Sequence, residues 1–495
     1  MNCKVYLVLI SLLLTVACSY ARNELAKHGE IVGDDAATIV YREGGFSPGR
    51  LEIEIGTQVV FVNDTDTLLW PASNIHPTHQ IFPEFDSMGS VPPGDRWGFT
   101  FKKAGFWRYH NHLWPDDAGL IVATGDGNGP RIEPLVIEVY VSEFQTPTGV
   151  KPEDYIELLV DDELVKEYLR KFGPAHTASL IADAGKRTNV ICHDRAHDVG
   201  RFAYEMYGAV AFAISSHECE AGAYHGATEA LFQRRGTANL EADVEIICGD
   251  TDVFFYRLQC LHGVGHGLMA WTSYELFDAL DLCDNLAKDR DQRACYSGVF
   301  MENVVGGLSG NMGHFTNYVS EDAHYPCNAL DDRYVGPCYL FHSTRMLTLF
   351  EYDYGKVSGE CSVVPEFAVD DCFDSFGRDI AAITLGDPGG AIEMCGSHVP
   401  DLRNRIFCLQ GTLQARFWET SKADEALSLC GMLKDDLEER SACYWMLIIR
   451  AIELYRDDNQ YLALCARLEE PFDAWCERRT VPGSSGLSPA NREFP

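Results

Sequence analysis

Gly105-Phe106-Trp107-Arg108-Tyr109-His110-Asn111-His112 is the stretch on which the N-terminal fold turns. Phe106 to His110 has the aromatic-rich pattern of a strand, and a glycine stands before it as punctuation. Working outward, Thr38-Ile39-Val40-Tyr41, Leu51-Glu52-Ile53-Glu54-Ile55 and Val59-Val60-Phe61-Val62 read the same way on its N-terminal side, as does Trp97 to Phe101. Gly119 to Val122 and Leu135 to Val141 follow it. Seven or so short strands in about a hundred residues, parted by glycine, proline and aspartate, predict an all-β sandwich.

Phe46-Ser47-Pro48, the Gly56-Thr57 ahead of an apolar strand ending at Asn63, Pro93-Gly94 ahead of an aromatic strand, and Gly105 to His110 together resemble the cupredoxin superfamily, the blue-copper proteins and their relatives. The match spans residues 35–142. It implies a Greek-key sandwich with a copper site whose first ligand is His79, in His79-Gln80-Ile81-Phe82. Two positions depart from the family's pattern. His110 stands where its cysteine is expected and Leu120 where its axial methionine is expected, so a blue centre, which needs a thiolate, is excluded. What remains is a group of imidazoles, His76, His79, His110 and His112. On an extended chain residues two apart face the same way, so His110 and His112 can point at one ion. That His-x-His pair also resembles those of the oxygen-reducing copper cluster in multicopper oxidases. Neutral imidazoles on a rigid β-scaffold suit Cu(II), with zinc the chief competitor. The bland reading is a domain without metal whose histidines serve as hydrogen-bonding residues. Trp70, Trp107 and Trp114 are expected around the site, lining the open end of the barrel.

At 495 residues the chain exceeds what one hydrophobic core usually organises. Lys4, the apolar run Val5 to Val16 and Ser19-Tyr20-Ala21 read as a secretion signal over residues 1–21, too short to span a bilayer. Thr15-Val16-Ala17-Cys18 offers an alternative, a weak lipoprotein box in which an acylated Cys18 tethers the protein. The whole chain has 40 basic and 74 acidic residues. Losing the signal removes one lysine and no acid, for a balance of −35. Such acidity repels nucleic acid, and because the acids are dispersed it serves solubility.

Of the 18 cysteines, Cys3 and Cys18 lie in the signal region and the rest fall between Cys192 and Cys476. An even number, with no CxxC pair, in an exported chain predicts structural disulfides. The spacing pairs them as 248/260, 283/295, 327/338, 361/372, 395/408, 430/443 and 465/476; Cys192 and Cys219 fit this scheme least well. First members recur at a period near 34 with one longer step, which predicts an α-helical hairpin solenoid, similar in period to tetratricopeptide and Sel1-type repeats. Leu276 to Cys283, Asp424 to Cys430 and Gln460 to Cys465 read as first helices, with each second helix beginning near the second cysteine. Glu153 to Phe172 reads as one helix after a linker. The expected organisation is signal 1–21, β-domain 35–142, linker and helix 143–175, cysteine-rich helical domain 176–480 and a flexible tail 481–495.

A second constellation follows the cysteines of the early repeats. His193/His197, His225/Glu229 and His262/His266 are i, i+4 pairs, each standing one turn apart on one helix face, where they can chelate a metal. His225 and His266 both lie six residues beyond their cysteines, so stacking should bring them together, with Met301 and Glu302 next in line. The intervening glycines permit close helix approach at a cost in helix propensity. Glu229 or Glu302 would act as ligand or proton acceptor, and the alternative is that all of these are structural histidines bridging neighbouring helices. His314, His324, His342 and His398 are read as structural. The whole predicts an exported copper-binding protein, as an oxidoreductase acting on a small molecule or oxygen, as a copper capture and delivery protein, or as a metal-free interaction scaffold whose helical array docks a protein partner.

Overall fold

The computed structural model describes residues 36–74, 79, 82–125, 144–147, 150–188, 190, 192–216, 218–219, 221–249, 254–309, 316, 318–418, 422–434 and 436–479. The expected signal, the strand at Leu135 to Val141, His76, His314 and the C-terminal tail lie outside them. The chain falls into two compact units, Met1–Glu133 with Trp271–Ser273, and Pro134–Ala270 with Tyr274–Pro495.

The first unit holds eight described strands, β1 (Ala37–Arg42), β2 (Gly45–Ser47), β3 (Arg50–Glu54), β4 (Gln58–Asn63), β5 (Pro71–Ser73), β6 (Arg96–Thr100), β7 (Gly105–Asn111) and β8 (Trp114–Thr124). They form two four-stranded sheets, ordered β2-β1-β4-β6 and β3-β8-β7-β5. β1 runs parallel to β4 and β3 parallel to β8, and the other pairs are antiparallel. In β1, Ile39 and Tyr41 turn inward between more exposed neighbours, the alternation expected of a sheet with one wet face. Between the sheets Phe61 of β4 and Phe46 of β2 meet Tyr109 of β7 edge to face, with ring centres 5.1 and 4.8 Å apart. Such pairs add about 0.5–1.5 kcal/mol each beyond area burial. β2 and β5 were not expected from sequence, being too short to show a period of two.

The second unit is helical: α1 (Pro152–Glu157), α2 (Asp162–Thr188), α3 (His193–Tyr207), α4 (Val210–Ile214), α5 (Gly222–Arg235), α6 (Leu240–Cys248), α7 (Phe254–Trp271), α8 (Leu276–Cys283) and α9 (Asp289–Ser309), then α10 (Asp332–Leu349), α11 (Tyr354–Cys361), α12 (Val369–Ile383), α13 (Pro388–His398), α14 (Leu402–Arg416), α15 (Ala423–Met432), α16 (Leu437–Leu454), α17 (Asp458–Cys465) and α18 (Phe472–Glu477). Short and long helices alternate through most of the array. The long ones pack on each other in sequence order, α3 on α5, α10 on α12, α12 on α14 and α14 on α16.

Eight disulfides join the hairpins: the seven pairs read from spacing, and Cys192 with Cys219. Two expectations need correction. The single helix over Glu153 to Phe172 is two: the first ends at Glu157, and Asp161 caps the next, its carboxylate accepting from the Glu163 and Leu164 N–H groups. The second helix starts ahead of its cysteine rather than at it, more than a turn ahead at Leu402 for Cys408 and Leu437 for Cys443, because Asp401 and Asp436 cap it there.

Candidate metal centres

In the β-domain, β7 and β8 form a hairpin whose register shifts between His110 and Asn111, so a bulge sits between the two histidines of the His-x-His pair. A bulge re-aims side chains at a sheet end. On the opposite side β5 pairs with β7, setting Ala72 across from His110, and Ala72 also bridges to Asp86. His79 comes from the connection between β5 and β6 with φ at +54°, a left-handed conformation that a residue with a Cβ adopts at some strain. Its carbonyl is held there by the Ser73 hydroxyl.

The result is that His79, His110 and His112 each offer a ring nitrogen to one point, all within 4.8 Å of one another. His79 Nε2 lies 2.9 Å from His112 Nδ1. Outer nitrogens are committed elsewhere: His79 Nδ1 is 2.6 Å from Asp86 Oδ2, and His110 Nδ1 is 3.0 Å from Asn74 Oδ1. Burial alone would raise the Asp86 carboxyl, but hydrogen bonds from the Trp70 indole, the Met88 N–H and His79 outweigh it and hold Asp86 below its ordinary value. An ionised Asp86 only accepts, so His79 carries its proton on Nδ1 and turns the Nε2 lone pair inward. His79 and His110 are buried, while His112 is half-buried with its ring against Trp70, 4.6 Å between centres. Of the three tryptophans expected around the site, Trp70 meets it; Trp107 packs on Phe82 and donates its N–H to Lys103, and Trp114 is exposed.

The helical unit builds a second cluster. Backbones here are nearly in contact: a Cβ on Gly226 of α5 would lie 1.9 Å from the His197 carbonyl oxygen of α3, and one on Gly298 of α9 would lie 1.9 Å from that of His262 in α7. Glycine is therefore required where these helices cross, and their histidines are drawn into one chamber. His193, His197 and His225 converge, and so do His225, His262 and His266. Within each i, i+4 pair the Nε2 atoms are 3.2 Å (His193 and His197) and 3.1 Å (His262 and His266) apart. His225 sits between the pairs, its ring stacked on His266 at 4.4 Å.

All four paired histidines turn Nδ1 outward. His193 Nδ1 faces the Cys219 carbonyl at 2.9 Å, and His197 Nδ1 faces Glu229 at 2.7 Å. His262 Nδ1 faces the Ser297 hydroxyl at 2.8 Å, and His266 Nδ1 faces Glu302 at 2.5 Å. Ser297 gives its own proton to the Ala294 carbonyl and so accepts from His262. Burial would raise the Glu229 carboxyl, but the Arg201 guanidinium 2.6 Å away and His197 pull it down to about 2. Burial and the neighbouring His197 push His193 down to about 3, and burial drives His225 and His262 well below the ordinary imidazole value. Glu229 and Glu302 thus stand behind the histidines as acceptors. Carboxylate–histidine pairs of this kind orient metal-ligating imidazoles.

No family model and no curated protein matches the chain. Among solved structures, a reduced amicyanin mutant is 18% identical over 19% of this chain and 86% of that chain, with a TM-score of 0.17. A purple cupredoxin from Nitrosopumilus maritimus is 26% identical over 18% of this chain and 99% of that one, with a TM-score of 0.16. These likenesses span less than a fifth of the chain.

Two of the histidines read as structural, His324 and His342, are hydrogen-bonded within the helical unit. His324 joins Tyr339 and Glu360, and His342 donates to the Ala323 carbonyl. His342 also lies beside Cys327 and Cys338, but those sulfurs are bonded to each other and offer no thiolate. Sequence reasoning missed Asn74, Asp86 and Ser297, ordinary polar residues in loops or helices whose role comes only from the imidazole each one faces.

Proposed function

We propose that this protein is a copper-binding oxidoreductase of an oxidising compartment, whose cupredoxin-like β-domain holds one ion through His79, His110 and His112. The observation that carries the reading is the commitment of the outer ring nitrogens of His79 and His110 to Asp86 and Asn74, which leaves the inner nitrogens of these two imidazoles converging with a ring nitrogen of His112. A surface group of histidines bonded for structural reasons has no need to keep those lone pairs facing one another. The eight disulfides fit the compartment.

Copper held by these imidazoles would supply one-electron redox chemistry. The chain's own residues do the rest. Asp86 fixes the His79 tautomer and offsets positive charge, Asn74 orients His110, and half-buried His112 leaves the side on which a small substrate or oxygen would approach. Metal content and the Cu(II) paramagnetic resonance spectrum of the full chain, with and without His110→Ala, test the site. A nitrogen-rich, non-blue signal that the variant loses is expected, and an unchanged spectrum would refute it. Oxygen consumption with oxidisable small molecules then decides the activity: copper held without turnover would make the protein a capture and delivery carrier instead.

A further inference from the structure

We infer that the histidine chamber of the helical unit is a separate two-copper site, in which His225 bridges an ion held by His193 and His197 to an ion held by His262 and His266. This does not rest on the β-domain reading.

Three observations lead there. Each outer pair presents two Nε2 atoms about 3 Å apart whose partner nitrogens already give their protons to acceptors: Cys219 and Glu229 for one pair, Ser297 and Glu302 for the other. Two lone pairs at that distance repel unless a cation lies between them. His225 is 1% exposed, and neither of its ring nitrogens has a hydrogen-bond partner. A buried polar atom without a partner is rare, and here two occur on one ring that lies between both pairs. One ion would satisfy one of those nitrogens and leave the other orphaned. Two ions satisfy both, the second replacing the remaining N–H proton, which leaves to solvent, so that His225 becomes an imidazolate. That negative charge, with Glu229 and Glu302 immediately behind the ligands, offsets the charge of two buried cations. Copper fits this donor set best: the ligands are all imidazole, and the soft thioether of Met301 is 3.2 Å from His262 Nε2.

The test uses the full chain carrying His110→Ala and His112→Ala, which removes the β-domain site, titrated with Cu(II) from the metal-free state. Two ions per chain are expected by dialysis and elemental analysis. Their paramagnetic resonance signal should integrate to far less than the bound copper, because an imidazolate bridge couples the two spins. His225→Gln should restore the signal to about one spin per copper. Binding of fewer than two ions, or two ions whose full signal is indifferent to His225→Gln, overturns the proposal. If circular dichroism shows that His225→Gln does not fold, His193→Ala decides: stoichiometry should fall from two to one, and no change overturns it. Failure of the β-domain site leaves these outcomes untouched, since that site is already absent from the protein titrated.

Discussion

At the scale of single residues, His225 and His342 are both buried imidazoles with opposite consequences. His342 donates to the Ala323 carbonyl, whereas His225 bonds to nothing. An unmade buried hydrogen bond costs about 1–3 kcal/mol, and replacing the group by an apolar one of similar size removes that penalty. His225→Leu should therefore leave the metal-free protein as stable as its parent or stabler by about 1 kcal/mol, while reducing the stabilisation that Cu(II) gives; denaturant titrations with and without Cu(II), on chains that also carry His110→Ala and His112→Ala, read both. Behind the β-domain site, Asp86→Asn should weaken Cu(II) binding about 10–100-fold, the usual effect of losing a carboxylate that orients a ligating histidine. A chelator-competition titration measures it, and unaltered affinity would reduce Asp86 to a structural role. His342 sets a pH dependence. Burial pushes it down to about 4, the Ala323 carbonyl opposing and His324 adding to the shift. Between the ordinary value near 6.5 and about 4 the unfolded chain holds a proton that the folded one lacks, so stability rises with pH and is lost on acidification, at roughly 1 kcal/mol per pH unit. His342→Gln should reduce that slope in denaturation curves of metal-free protein between pH 7 and 4, where other buried imidazoles contribute equally to parent and variant.

At the scale of elements, the helical unit depends on contacts that leave no room for a side chain. Gly298 touches the His262 carbonyl through backbone, so Gly298→Ala cannot be absorbed by a rotamer change and must push α9 from α7. We expect it to cost more than the roughly 1 kcal/mol that alanine normally gains over glycine within a helix, reversing the sign of the usual effect, and to lower copper stoichiometry in the chamber; thermal unfolding and metal analysis check both. Seven of the eight disulfides, all but Cys192–Cys219, close loops of about a dozen residues, and each stabilises by about 3 kcal/mol in the chain-entropy model. Replacing Cys430 and Cys443 together by serine should lower stability by that order, and metal binding in the first repeats should survive because those residues lie far along the array. Elements with strong periods were legible: β1, β3, β4, β6 and β7 fall within a residue or two of where alternation puts them, and α8 at its expected bounds. The Glu153 to Phe172 segment was misread because its apolar spacing continues across the break between Glu157, where one helix ends, and Asp161, which caps the next.

At the scale of the molecule, the acidic balance of −34 and the cysteine spacing act on the whole chain rather than on one site. The sequence by itself determined the β-then-α order, seven of the eight disulfide pairs and which histidines to watch, since these depend on residue type and short-range spacing. Even the meeting of His225 with His266 followed from equal offsets after their cysteines. Only the tertiary structure decided which ring nitrogen each histidine turns inward. That choice is made by acceptors distant in sequence, Glu229 for His197, Glu302 for His266 and Asn74 for His110, brought into contact by glycine-tight helix crossings and a bulged hairpin. A proton goes to whichever nitrogen meets an acceptor, and spacing along a chain carries no information about which nitrogen that will be.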